Sequence, residues 1–319
     1  MSKIFITFGN NIYLHAVRRI VNQAKNLNLF NNIYGYSEND LKNDEYFWKT
    51  HSDFILSNPR GFGYWLWKSY LIMKTMEKMN ENDILLYCDC GCEIDYNKHL
   101  LITNMFELVK TDLIIGTSYP DIEKNWNKMD TIIYLDMVDS EKLNTYQHQA
   151  GACCYLKCEK TYNLVKEWYN ISCNYHLLDD SQSINNNFNC FIEHRHDQSI
   201  FSLLTKKYNI YSNTSLENII EISRNRTGIS QIENNKCIII FYSSININKL
   251  IKRNILIATN LVDKSIKIYI FDVNNILNNN LQQKILRYTP LLNITFYKIT
   301  DENTILNGKQ VIKKIIINN

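Results

Sequence analysis

The stretch DILLYCDCGCEID, residues 83–95, decides how the rest of the chain is read. Its residues 84–88, ILLYC, are apolar at every position, so they predict a central strand covered on both faces, where a half-exposed strand would alternate. Carboxylates flank the run: Asp83 at its start, then Asp89, Glu93 and Asp95 beyond its end, interleaved with Cys88, Cys90 and Cys92. Two chemistries compete for this pattern. One is a thiol-rich metal or redox site; the other is a catalytic carboxylate whose cysteines are only compact neighbours.

Around this strand, apolar runs and helical periods alternate. KIFITF (3–8) predicts a strand ending at Gly9, the next residues through 27 carry apolar positions at helical spacing, and NIYGY (32–36) predicts a second strand. Residues 63–79 are helical in period. Further strands are expected at 112–118, 131–135 and 150–156, and further helices at 159–171 and 197–208. Strands alternating with helices predict an α/β fold whose mixed, mostly parallel sheet is flanked by helices. Beyond residue 225 the texture changes. Runs at 237–243, 254–259, 266–271 and 293–299 and a polar helix near 276–287 read as a smaller C-terminal α/β region without a chemical constellation. The expected division is 1–225 and 226–319.

Thirty-five lysines and arginines against 32 aspartates and glutamates leave a formal charge of +3, which gives no strong basic footprint for nucleic acid. No stretch approaches the roughly 20 apolar residues of a membrane helix, and the N-terminus lacks the pattern of a secretory signal. The nine cysteines are odd in number and bunched, unlike a disulfide framework. A soluble, cytoplasmic protein in a reducing compartment is the expectation.

In open α/β sheets ligands gather at the carboxyl ends of strands. Asp89 lies at that end of the 84–88 strand and Asp83 at the other, so Asp89 is the functional candidate and Asp83 a turn residue. If the chain stays extended, Asp89, Gly91, Glu93 and Asp95 share one side and the three cysteines the other. Gly91 leaves room for a ligand near the backbone. C-x-C-x-C lacks zinc-knuckle spacing, which favours structural thiols.

The segment RGFGYWLWKSYLI (60–72) followed by DILLYCDCGCEI (83–94) resembles the small microbial and viral glycosyltransferases of the GT-A fold, which read Arg-Gly-x-Gly-Tyr-Trp-x-Trp-Lys-Pro and then Asp-x-x-x-Tyr-x-Asp-x-Gly-Cys. The likeness runs from ITFGNN to HRHDQSIFSLL, about two-thirds of the chain. It implies transfer of a sugar from a nucleotide-sugar, with a UDP-sugar the expected donor, to a glycan, protein or small-molecule acceptor, with Asp89 in the donor site. It also implies a divalent cation, Mn²⁺ or Mg²⁺, held by carboxylates. Here the chain departs from the general Asp-x-Asp pattern, because Gly91 stands where the second aspartate would be; Glu93, Asp95 or a histidine, His196 first, is left to complete a site with Asp89. Ser69 replaces the usual proline.

Arg60, Tyr64 and Lys68 suit a nucleotide-sugar pocket, since guanidinium and ammonium groups bind phosphate and aromatic faces stack on sugars or bases. By residue type alone Lys68 reads first as a solvated helix lysine and Trp65 and Trp67 as packing; it is the resemblance that turns Arg60 and Lys68 into donor-site candidates. In EHRHDQS (193–199), Asp197 reads either as a helix cap or, through the Asp-Gln pair it forms with Gln198, as a donor-sugar contact that resembles a GT-A motif. Asp89 and Asp197 are therefore the catalytic candidates, and Arg60, Tyr64, Lys68, Gly91 and Gln198 the donor-binding ones. His148, Gln149, Asp179 and Asp180 are weaker candidates for the acceptor. Two other readings stay open: a binding module of the same fold without turnover, and a thiol-bound zinc protein.

Overall fold

In the computed structural model, which describes residues 1–213, 216–232, 237–242, 267–272, 280, 282–283 and 293–298, the run at 84–88 is a strand buried at all five positions. Contacts divide the chain into two compact units, Met1–Ser230 and Gln231–Asn319. The first unit runs β1 (Lys3–Gly9), α1 (Leu14–Asn26), β2 (Asn32–Ser37), α2 (Glu38–Asn43), α3 (Glu45–Ser57), α4 (Gly61–Tyr64), α5 (Leu66–Glu77), β3 (Ile84–Cys88), β4 (Glu93–Ile94), α6 (His99–Asp112), β5 (Ile114–Gly116), β6 (Ser118–Ile122), α7 (Glu123–Trp126), α8 (Met129–Tyr134), β7 (Tyr146–His148), β8 (Ala152–Leu156), α9 (Glu159–Ser172), α10 (Tyr175–Leu178), α11 (His196–Tyr208), β9 (Ser212–Asn213) and β10 (Ile220–Glu221).

Six of these strands form one sheet in the order β2-β1-β3-β8-β5-β9. β8 runs antiparallel to both neighbours and the other pairings are parallel. The period of two sorts the side chains into two cores. Leu85 and Tyr87 of β3, with Cys153 and Tyr155 of β8, pack on the side of α5, α9 and α11, whereas Ile84, Leu86, Cys88, Ala152 and Cys154 pack on the side of α1 and α6. The sheet is thus sandwiched between helices, as an unalternating strand requires.

Two local expectations fail for physical reasons. Residues 131–135 are not a strand; the backbone amides of Thr131 and Ile132 bond to Lys128 O, and α8 buries Thr131 and Ile132 while Ile133 and Tyr134 face out. Tertiary burial overrides the β-propensity of a Thr-Ile-Ile run. The helix expected from residue 63 starts only at Leu66, because residues 61–65 all have φ between +50° and +81°. This left-handed turn is closed by hydrogen bonds from Tyr64 N–H to Arg60 O and from Trp65 N–H to Gly61 O, and by the Trp67 indole donating to Gly61 O at 2.9 Å. Left-handed residues other than glycine cost about 1–2 kcal/mol each, so Phe62, Tyr64 and Trp65 hold strain that the surrounding packing sustains.

The second unit contains a parallel sheet in the order β11 (Cys237–Tyr242), β12 (Lys267–Asp272), β13 (Asn293–Lys298). The strand expected at 254–259 lies outside the described residues, as does most of the helix expected at 276–287. No helix among the described residues is long and apolar enough to cross a membrane.

A methyl group on Gly63 would meet Ile55 Cγ1 at 2.7 Å in a backbone with φ of +81°. Gly63→Ala is therefore expected to lower unfolding free energy by about 2 kcal/mol or more, measured by urea denaturation. An unchanged midpoint and slope would show that the left-handed turn does not persist in solution.

Candidate functional site

The chain passes from β1 to β2 on one side and returns to β3 on the other, so strand order reverses between β1 and β3. The crevice outside the carboxyl ends of strands at such a reversal is where ligands bind in open α/β sheets. Asp89 follows β3 there, its N–H donating to Gly151 O at 2.7 Å and its carbonyl accepting from Cys92 N–H at 2.9 Å. Residues 89–92 therefore form a turn, and the extended alternation considered for residues 89–95 does not occur. Asp83, at the far end, accepts from backbone amides of Ser2 and Asn80 and closes a turn.

Lys68 reaches this point from the first turn of α5. Its ammonium lies 2.8 Å from Asp197 Oδ2 and 3.4 Å from Asp89 Oδ1. The lysine and Asp197 side chains are 4% and 6% exposed, whereas that of Asp89 is 41% exposed, so Asp89 is the face of the cluster open to a ligand. Lys68 is thus not the solvated helix lysine its residue type allows. Burial alone would discharge it, but the two carboxylates outweigh burial and raise its pKa. Burial pushes Asp197 up to about 6, against the opposing pull of Lys68 and with help from the charge of Asp89. The Tyr87 hydroxyl donates to Asp89 Oδ1, and Asp89 Oδ2 lies over Gly151, where an added Cβ would stand 3.0 Å away.

Asp197 is the second residue of α11 and not its cap; Arg195 occupies the cap position, and Trp168 fixes the Asp197 carbonyl through an indole hydrogen bond of 3.0 Å. Gln198 accepts from Ala150 N–H at 3.4 Å and donates to Gln147 Oε1 at 2.7 Å, which ties α11 to the loop that ends at Gly151. Arg60 is engaged elsewhere. It pairs with Asp180 at 2.9 Å and Glu193 at 3.9 Å in a half-exposed rim, and the buried Tyr64 ring lies 4.8 Å from that of His196. His194 is buried between Lys128 N–H and Leu177 O, and His148 between Thr205 and the ring of Tyr211; burial holds both neutral. Asp179 accepts from Lys128 and Ser181.

Sequence reasoning missed Arg19. It reads as a polar position of an amphipathic helix, yet it is 5% exposed and its Nη2 donates to Cys90 O, Cys92 O and Asn225 O at 2.8, 3.2 and 2.8 Å, while Nη1 pairs with Glu93 at 3.1 Å. Asn225 and Ser230 also bond to Glu93. One guanidinium thereby clamps the loop at 222–230 onto the turn after β3. No local pattern announces this, because the partners are up to 206 residues away in the chain.

The residues present do not fit the divalent cation that the resemblance implies. Asp89 Oδ1 is taken by Lys68 and Tyr87, Glu93 is fully buried against Arg19, and Asp95 caps a turn at Asn97 N–H. His196 donates from Nδ1 to Leu178 O, and its Nε2 faces Asp180 at 3.5 Å, so its ring is turned to the Arg60 rim. Among the described residues no group of three His, Cys, Asp or Glu side chains is placed to hold a metal. Burial pushes the Cys90 and Cys153 thiols up to about 12 and Cys88 well above its ordinary value, and the cysteines belong to no such group of three among the described residues.

No protein-family model and no curated protein matches the chain. Among solved structures it is similar to a glycosyltransferase involved in glycosylation of the major capsid of PBCV-1, at 13% identity over 54% of this chain and 66% of that one, with a TM-score of 0.32. The chain thus spans just under two thirds of that protein's length. It is also similar to mouse xyloside xylosyltransferase 1 in its apo form (10% identity, 68% and 86% covered, TM-score 0.38). A third likeness is to the galactosyltransferase LgtC in complex with donor and acceptor sugar analogues (12% identity, 67% and 74% covered, TM-score 0.35).

Removing Lys68 leaves Asp197 buried without its cation, a loss of about 3–5 kcal/mol for a broken buried pair. The folded pKa of Asp197 already lies above its unfolded value, so its contribution to stability is full below about pH 4 and is lost as pH rises through about 6. Without Lys68 that pKa moves higher still. Lys68→Met is therefore expected to cost about 3–5 kcal/mol at pH 8 and clearly less at pH 5, by denaturant unfolding at both. Equal losses would show that Asp197 is not the group left unpaired.

Proposed function

We propose that this chain is a nucleotide-sugar-dependent glycosyltransferase of the GT-A type that takes its sugar from a uridine diphosphate donor. The observation that carries the reading is the Asp89–Lys68–Asp197 cluster at the strand-order reversal, with one carboxylate open and the other two groups buried. The sequence likeness of residues 60–72 and 83–94 to that family supports it independently.

In the proposed reaction the bond between the anomeric carbon and the diphosphate oxygen breaks, its electron pair leaving on the diphosphate. The acceptor hydroxyl oxygen bonds to that carbon, and its proton passes to the departing diphosphate oxygen. Asp89 and Asp197 are assigned to the donor sugar, whose hydroxyls donate to carboxylates. Lys68 holds both carboxylates in position and keeps the cluster from carrying two uncompensated charges. Gly151 keeps the backbone beside the Asp89 carboxylate free of a side chain, whereas the Cβ position of Gly91, expected to leave room for a ligand, faces the backbone of Arg224; Gln198 orients the start of α11. Arg60 and Tyr64 form the rim on the other side of Asp197, a place suited to the far end of the donor sugar or to the acceptor.

A screen of UDP-, GDP- and other nucleotide-sugars by ligand-induced stabilisation, with and without Mn²⁺, tests the donor class, because a ligand that binds the native state raises its apparent stability with occupancy. Stabilisation by a UDP-sugar followed by release of UDP is the expected outcome. Binding without turnover on any acceptor or water would assign the chain to the rival class, a nucleotide-sugar or glycan-binding module.

The role of Asp197 separates from its contribution to folding. A hydrogen bond to a charged group is worth about 1.5–3 kcal/mol, so Asp197→Ser is expected to bind nucleotide normally and to lose transfer about 10- to 100-fold. In the parent, transfer should rise with pH through about 6 as Asp197 ionises. A flat profile between pH 5 and 7.5 with normal transfer by the variant would remove Asp197 from the donor contact.

A further inference from the structure

We propose that the loop at 222–230 supplies the positive charge for the donor's diphosphate, with Arg224 and Arg226 acting where a divalent cation would otherwise be held. The inference rests on the transferase reading and adds to it the residues that bind the diphosphate and the absence of a metal requirement.

The argument begins at Gly91. Its place in the turn after β3 is that of the second carboxylate in an Asp-x-Asp pair, and the space such a side chain would enter is filled by protein backbone. A Cβ on Gly91 would stand 3.3 Å from Arg224 Cα and 3.5 Å from Arg224 C. The Asn225 N–H donates to Gly91 O at 2.8 Å, and the Ser223 hydroxyl does so at 3.4 Å. Arg19 then locks the arrangement, since the same Nη2 binds Cys90 O and Cys92 O of the turn and Asn225 O of the loop. The loop that excludes a second metal-binding carboxylate therefore carries an arginine at the point of contact.

Both arginines are exposed. Arg224 stands against the turn after β3 in a left-handed backbone conformation, φ +53°, and its side chain has no hydrogen bond or ion pair among the described residues. Such strain in a residue other than glycine persists only where its surroundings over-determine it, and it gathers at functional sites. Arg226 reaches the end of β1. Its guanidinium lies 5.3 Å from the centre of the Tyr13 ring, and Nη1 donates to the Tyr13 hydroxyl at 3.3 Å. Tyr13 ends the short turn Asn11–Tyr13 that follows β1.

Charge supports the same assignment. Arg19 and Glu93 neutralise each other, and Lys68 shared by Asp89 and Asp197 leaves the cluster one negative charge in excess at neutral pH. A diphosphate brought beside Asp89 needs cations from elsewhere. Two guanidiniums supply the same charge as one divalent ion and bind phosphate oxygens in fork geometry. The donor's diphosphate would lie over the turn at 89–92 between Arg224 and Arg226, and its sugar would extend toward Asp89 and Asp197.

The test uses the full chain and titration calorimetry with UDP and UMP, GDP being run in parallel, in EDTA and in Mn²⁺. The expected result is UDP affinity in EDTA within about twofold of that in Mn²⁺, and UDP preferred over UMP by about tenfold or more. Arg224→Ala combined with Arg226→Ala should remove that preference, weakening UDP about tenfold or more with UMP binding and thermal midpoint unchanged, and lysine at both positions should restore part of it. Binding of UDP that vanishes in EDTA and returns with Mn²⁺ would overturn the inference and leave the transferase reading standing. Wild-type UDP affinity in the double alanine variant would overturn it as well. No binding of UDP or GDP under either condition would overturn both.

Discussion

The first unit is organised around one ammonium group. Lys68 sits at the start of α5, Asp89 at the end of β3 and Asp197 in the first turn of α11, and the lysine is within 3.4 Å of both carboxylates while almost wholly buried. A charge taken out of water is tolerated only when it is paired and hydrogen-bonded. The three elements must therefore meet at this point or leave a buried charge without compensation, and their convergence gives the crevice its shape. One cation shared by two acids also sets the electrostatics: the lysine stays charged and the more buried acid is pushed toward its proton.

Lys68 is aimed by an expensive piece of backbone. The left-handed turn at 61–65 reverses the chain just ahead of α5 and turns Tyr64 and Trp65 toward the ring of His196. Gly61 and Gly63 take this conformation readily, whereas Phe62, Tyr64 and Trp65 are carried into it by the contacts around them. The segment links two parts of the site, since its first neighbour, Arg60, joins the acidic rim of Asp180 and Glu193 and its last neighbours lead to Lys68.

Two further buried networks hold the surroundings. Arg19, Glu93, Gln23, Asn225 and Ser230 bind the last loop of the unit to the turn after β3. Glu123, Lys206, Ser202, Asn127 and Gln147 join α7, α11 and β7. Replacing such networks by apolar residues is often neutral for stability; what they fix is register. Each donor demands one acceptor in one position, so the loops around Asp89 and Asp197 have few alternative arrangements that leave no polar group unsatisfied.

The sequence by itself determined the central strand, its neighbours, the α/β class and Asp89 as the carboxylate at the open end. These follow from local regularities: an unbroken apolar run, helical spacing, and the rule that ligands gather where strands end. It also marked Lys68 and Asp197, through motif likeness, without showing that they touch. Tertiary structure decided the rest. It buried Lys68 between two acids and drew Arg19 out of an ordinary amphipathic pattern. It made a helix of Thr131–Tyr134, a stretch with strand propensity, and it set the backbone of Arg224 in the space beside Gly91. The physical reason is distance along the chain. A period of 2 or 3.6 residues is written within ten positions, whereas an ion pair or a blocked Cβ joins residues separated by a hundred or more, and only the folded chain brings them together.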